Sequence, residues 1–262
     1  MSSADAQTGW LFCPNKNPYA HLRLFCFPYA GKGASIFRSW SQAMPGWVEV
    51  CGVQYPGREQ RFREVSFTSM TKLAEAAAIA LRPYVDRPYV IFGHSFGALA
   101  GFEWVHHLRQ LGCPAPANLV VAARRAPHLG ERRPAITHLS QRDFITTVQH
   151  RYDGIPLEIL RSPELLDLLV PTLRADIRLL ETYAYVARPA LSCPITCLGG
   201  LEDPEVKAQD LEGWRHHTTG PFDAHMFPGG HLFLHSAQAA LLKHMIPLLA
   251  EALKRAVPAS NP

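Results

Sequence analysis

Short apolar runs alternate with longer amphipathic ones along most of the chain. Residues 21–27, 47–54, 89–92, 117–123, 195–198 and 222–227 are short and mostly apolar. Runs of that kind predict strands buried on both faces of a parallel sheet. Between them the period changes. Over residues 68–85, Leu73, Ala77 and Leu81 fall on one face at helical spacing. Residues 96–111 continue as an apolar helix and stop at Gly112, with Pro114 beyond. A short helix carrying Phe37, Trp40 and Ala43 follows the first strand. Residues 238–255 form a closing amphipathic helix, with a bend expected at Pro247. Strand–helix alternation predicts an α/β fold: a mostly parallel central sheet with helices on both faces.

The rhythm breaks after Pro127. Up to about Arg188 the patterns are helical, with no convincing buried strand. Residues 140–151 pair Phe144 with Val148. Ser162-Pro163-Glu164 opens a second helix, with serine as N-cap and proline at N1. Pro171 is expected to begin a third, in which Leu173, Ile177, Leu180 and Ala184 form a stripe. Residues 131–187 therefore read as a helical insertion, a lid over one rim of the sheet. Residues 1–18, polar with Pro14 and Pro18, read as a loose arm, and 19–262 as one domain.

Composition narrows the class. Over 262 residues, 47% hydrophobic and 18% charged content suits one domain with a sizeable core and excludes a disordered chain. Net charge is +4 with histidine neutral, and the cations are scattered except at Arg124-Arg125 and Arg132-Arg133. That is no nucleic-acid footprint, although a basic rim could attract an acidic partner. The sequence shows neither a signal-peptide pattern nor an apolar run of membrane-spanning length, so a cytoplasmic location is expected. Six cysteines, at 13, 26, 51, 113, 193 and 197, lie mostly in strand-like runs and are expected as buried, reduced thiols. Cys193 and Cys197 have no second pair at zinc spacing. His106-His107 and His216-His217 look like surface positions, so no metal site is expected.

The chemistry gathers where strands end. Tyr89-Val-Ile-Phe runs into Gly93-His94-Ser95-Phe96-Gly97 and then into a helix. A strand, a Gly-x-Ser-x-Gly turn and a helix make a nucleophile elbow, in which the serine hydroxyl stands exposed before a helix N-terminus. A serine needs a base, and the base needs an orienting acceptor. Asp203 and His231 follow later strands, and the order Ser95, Asp203, His231 is that of α/β-hydrolase triads. Two glycines before His231 give its loop room to reach the serine. Glu202 is the second choice for the acid. Asp223 lies at the start of a strand, the wrong end. His94 neighbours the serine but should point away from it. An oxyanion hole would combine the Phe96 N–H with an N–H from the loop after the first buried strand, at Tyr29 or Ala30. That loop lacks the Gly-Lys-Ser/Thr close of a phosphate loop.

Seven motifs occur in succession: Phe27-Pro-Tyr-Ala-Gly31, Tyr55-Pro-Gly-Arg-Glu59, Gly93-His-Ser-Phe-Gly-Ala98, Arg124-Arg-Ala-Pro127, Leu173-Arg-Ala-Asp-Ile-Arg-Leu-Leu-Glu-Thr-Tyr183, Gly199-Gly-Leu-Glu-Asp-Pro204 and Gly229-Gly-His-Leu-Phe233. From about residue 20 to 250 the chain resembles the type II (external) thioesterases that accompany non-ribosomal peptide and polyketide synthases. The resemblance implies an α/β-hydrolase fold with a mobile helical lid. It also implies hydrolysis of acyl groups from the phosphopantetheine arm of carrier domains, to clear stalled or wrong units. It places the triad on Ser95, Asp203 and His231. No cofactor is implied beyond the pantetheine carried by the partner, and a monomer is expected. Leu166, Leu169 and Leu173 are candidates to line an acyl tunnel, packing of the lid being their competing role. The chain departs from the pattern at Lys32, where a second glycine is usual, at Leu232-Phe233, and around residues 149–153. A product-releasing thioesterase, a general carboxylesterase and an inactive binding module are the alternatives.

Overall fold

The computed structural model describes residues 9–257. Among these, seven strands form one sheet: β1 (Leu11–Phe12), β2 (Leu22–Phe27), β3 (Val48–Val53), β4 (Tyr89–His94), β5 (Asn118–Ala122), β6 (Ile195–Gly200) and β7 (Phe222–Phe227), in the order β1-β3-β2-β4-β5-β6-β7. All neighbours are parallel except β1, which runs antiparallel to β3. The helices, in chain order, are α1 (Trp40–Ala43), α2 (Met70–Leu81), α3 (Phe96–Gln110), α4 (Gln141–Tyr152), α5 (Leu157–Leu160), α6 (Pro163–Glu181), α7 (Ala208–Glu212), α8 (Phe233–Ser236) and α9 (Gln238–Ala256).

The two-residue period of a strand divides the core. Phe25, Ile91 and Val121 join Leu73, Leu99 and Trp104 from α2 and α3 on one face. Leu24, Val90, Phe92 and Val120 join Leu241, Met245 and Leu249 from α9 on the other. The central strand β4 is thus buried on both sides, and its C-terminal end is where the elbow turns.

A third apolar cluster, with Phe144, Val148, Val170 and Ile177, belongs to the lid helices α4 and α6. Their N-caps are Ser140 and Ser162, whose side chains accept from the backbone N–H of Asp143 at 3.2 Å and Leu165 at 3.3 Å. Pro171 does not begin a helix. It lies inside α6, which runs unbroken from Pro163 to Glu181. Pro247 likewise sits within α9.

Two expectations are corrected at the N-terminal edge. The arm is not loose over its described part: Trp10 is buried, and Leu11 and Phe12 pair with Val53 and Gly52. Residues 1–8 lie outside the described residues. The next position in that register brings Cys13 opposite Cys51, and the two form a disulfide with Cα atoms 4.5 Å apart. Cys26, Cys113, Cys193 and Cys197 remain free thiols. Burial pushes the Cys193 thiol up to about 12. No helix among the described residues is long and apolar enough to cross a membrane.

Candidate active site

The sharp turn after β4 is set by its glycines. A Cβ on Gly93 would meet the Gly97 carbonyl oxygen at 2.4 Å, and one on Gly97 would meet the Phe27 carbonyl oxygen at 2.1 Å. Only hydrogen fits in either place, so strand, helix and the neighbouring β2 loop close on one another. Ser95, at the tip, takes φ 53°. A non-glycine residue there is strained, and its surroundings must hold it. The Ser95 N–H donates to Ala122 O at 2.8 Å, tying the turn to β5. α3 begins at the next residue and aims its unpaired N–H groups and positive dipole end at the turn.

The loops after β6 and β7 bring two distant side chains to this turn. Ser95 Oγ lies 2.9 Å from His231 Nε2. On the other side of the ring, His231 Nδ1 lies 2.9 Å from Asp203 Oδ2. Asp203 is fully buried. Its second oxygen, Oδ1, accepts from the backbone N–H of Glu205 at 2.8 Å and Val206 at 3.3 Å. A carboxylate so placed accepts from Nδ1–H, which leaves Nε2 free to accept the serine proton. The arrangement can turn a hydroxyl into a nucleophile and return the proton to a leaving group.

The other sequence candidates separate clearly. Glu202 accepts from the Gly229 N–H and does not reach the imidazole. Asp223, exposed at the start of β7, bonds His225 instead. Tyr29 and Ala30 both line the cavity beside Ser95. That cavity is partly open to solvent and has mostly apolar walls. Leu169 and Leu173 line it, together with Val148, Ile177 and Leu180. Leu166, about one turn earlier in α6, packs with Leu169 and Leu173 in the lid cluster but does not line the cavity.

The paired histidines also differ from expectation. His106 and His217 are buried, packed edge-to-face against Phe102 with ring centroids 4.6 and 5.2 Å away. Burial lowers them to about 3 and about 4, respectively. Cys13, Glu49 and Cys51 come close enough together to suggest metal ligands. Their sulfurs are bonded to each other, and Glu49 pairs with Arg23 at 2.8 Å.

A family model described as the thioesterase domain matches residues 22–249. The chain belongs to the thioesterase domain family. It is 38% identical over 236 residues to the gramicidin S biosynthesis protein GrsT of Aneurinibacillus migulanus, covering 90% of this chain and 92% of that one. Among solved structures it is similar to the RedJ thioesterase from the prodiginine pathway of Streptomyces coelicolor, at 39% identity and TM-score 0.82, over 87% of this chain and 86% of that one. It is also similar to BorB, a type II thioesterase from the borrelidin cluster, at 32% identity and TM-score 0.84, over 94% and 98% of the two chains. The thioesterases among these neighbours share the α/β-hydrolase fold seen here.

Three features of this thioesterase escaped sequence reasoning. His94 does point away from Ser95, but its Nε2 lies 2.8 Å from the His231 carbonyl oxygen. Tyr152, from the lid, packs its ring 4.9 Å from that of His231. Asp176, in α6, accepts two hydrogen bonds from the Arg58 guanidinium, at 2.6 and 2.9 Å, and one from the Gly31 N–H at 2.8 Å. The motifs around Arg58 and Asp176 were visible separately. A signal could have come from an aspartate on an otherwise apolar helical face, because a buried carboxylate needs a partner.

Proposed function

We propose that this protein hydrolyses acyl or aminoacyl thioesters from the phosphopantetheine arm of carrier domains, clearing stalled units from a biosynthetic assembly line. The hydrogen-bonded chain Ser95–His231–Asp203 at the edge of an apolar cavity carries the reading. Membership of the thioesterase family supports the choice of a sulfur ester.

In this scheme Ser95 Oγ attacks the thioester carbonyl carbon while its proton passes to His231 Nε2. The resulting oxyanion takes hydrogen bonds from the Phe96 N–H and from an N–H of Tyr29 or Ala30. Asp203 stabilises the imidazolium through Nδ1–H. The carbon–sulfur bond breaks, the thiolate takes the proton from His231, and an acyl-serine remains. His231 then draws a proton from water, whose oxygen attacks the ester, and a free acid leaves as Ser95 is regenerated. Leu169 and Leu173 receive the acyl chain. The scheme uses no metal and no free cofactor, and the enzyme acts as a cytoplasmic monomer.

The test is hydrolysis of acetyl-carrier protein followed by intact mass. Ser95→Ala should abolish release. Release at the wild-type rate by that variant would discard the scheme.

A further inference from the structure

Ser95 stands at a junction. On one side lies the apolar cavity walled by Leu169, Leu173 and Ile177. On the other lies a second, smaller cavity, lined by Arg124, Arg125, Arg132 and Arg133. The two share Ser95 and His231, with Tyr152 and Leu180 between them. The paired arginines that stood out in the sequence therefore do not form a general surface patch. They line the second of two cavities that meet at the nucleophile.

The arginines are not fully compensated. Arg124 pairs with Glu131, and Arg133 with Glu205 at 3.3 Å. Arg125 and Arg132 share the single carboxylate of Asp210, at 3.5 and 2.8 Å. Four guanidinium groups thus face three carboxylates, which leaves one positive charge. Arg124 Nε and Arg125 Nε are buried without a hydrogen-bond partner. The Arg132 and Arg133 side chains are 47% and 52% exposed. Their carboxylate partners are largely buried, but the guanidinium groups themselves keep N–H donors open to solvent for a further acceptor. Guanidinium groups bind phosphate oxygens bidentately, with charge assistance.

A thioester of the kind proposed above has two ends of opposite character. One is an acyl chain. The other is a polar arm that ends in a phosphodiester with one negative charge. We propose that the substrate lies across Ser95 with its acyl chain in the apolar cavity and its arm in the arginine-lined cavity, where Arg132 and Arg133 hold the phosphate. This rests on the thioesterase reading and adds the direction in which the substrate is threaded. Binding at a phosphate remote from the reacting carbon positions the thioester for attack.

The test compares one acyl group on pantetheine and on 4′-phosphopantetheine, which differ only in the phosphate. The readout is the ratio of kcat/KM, phosphorylated over unphosphorylated. Wild type should favour the phosphorylated thioester about five- to tenfold at low salt, and less as salt screens the charge. The double variant R132Q/R133Q should bring the ratio near one, and R133E should push it lower still. A ratio near one in wild type, or one unmoved by these changes, overturns the assignment. So does loss of the preference in Lys32→Met instead, because Lys32 lines the apolar cavity. If neither thioester is hydrolysed, the thioesterase reading itself fails, an outcome distinct from hydrolysis without phosphate preference.

Discussion

The ring of His94 holds the backbone of His231: its Nε2 lies 2.8 Å from the His231 carbonyl oxygen. A carbonyl only accepts, so Nε2 carries the proton when the ring is neutral. Burial favours the neutral ring, holding the His94 pKa well below its usual value, and the neighbouring His231 adds to the effect. The residue beside the nucleophile thus fixes the residue that would activate it, from behind.

His94→Phe keeps a ring of similar shape and removes the donor. A buried carbonyl left without a donor costs about 1–3 kcal/mol. The urea midpoint should fall accordingly. The kcat for thioester hydrolysis should drop about tenfold, because the loop carrying His231 is no longer anchored. Unchanged kcat with a lowered midpoint would reduce His94 to a packing residue.

Asp203 and the adjacent Glu202 can be told apart by isosteric amides. Asp203 Oδ2 faces His231 Nδ1, whereas Glu202 bonds the Gly229 N–H. Asp203→Asn presents the wrong hydrogen-bonding group to the ring and should lower kcat by roughly three to four orders of magnitude, as loss of the tautomer-fixing acid does in serine proteases. Glu202→Gln should change it by no more than a few-fold. Steady-state kinetics on a single acyl thioester decides between them.

The lid is clasped to the core by Asp176 and Arg58, both nearly fully buried. Removing one partner of such a pair leaves an uncompensated charge and costs about 3–5 kcal/mol. Asp176→Ala should therefore be strongly destabilised in urea. It also frees the Gly31 N–H, in the same loop as Tyr29 and Ala30, the two candidate oxyanion donors. The double replacement Asp176→Leu with Arg58→Met should recover stability without recovering kcat, because the loop still lacks its acceptor. Recovery of both would mean that the clasp has no part in positioning that loop.

The strands that carry the site were legible because parallel strands buried on both faces leave continuous apolar runs, and the Gly-x-Ser-x-Gly turn is dictated by contacts that admit no Cβ. Pro171 misled because its missing N–H and fixed φ usually mark a helix start, yet α6 passes straight through it. The Cys13–Cys51 bond is not legible in the sequence because it depends on the register of β1 on β3, which two residues of strand do not announce. His106 and His217 look polar in sequence but are buried against Phe102, His106 from the next turn of α3 and His217 from a segment more than a hundred residues away. Pairings between loops were the least legible. Periodicity reports which face of an element is buried, not which loop it meets.

Those buried histidines set the acid stability of the fold. His94, His106 and His217 all have folded-state values lowered by burial, the last two to about 3 and about 4. His128, His235 and His244 are lowered for the same leading reason. In the unfolded chain each histidine binds a proton near pH 6.5. Below that value the unfolded state holds more protons than the native one, so stability falls as pH falls. The contribution is fully present above about pH 7 and is lost progressively as pH drops from about 6.5 toward the folded-state values. Most of the window from 6.5 to 5 lies above the range where carboxylates titrate, so the histidines dominate it. Urea midpoints should be flat from pH 7 to 8 and decline steadily from 6.5 to 5. His106→Phe, which keeps a ring against Phe102 but cannot bind a proton, should reduce the slope of that decline. A midpoint independent of pH across the window would mean that these rings take up protons without disturbing the core.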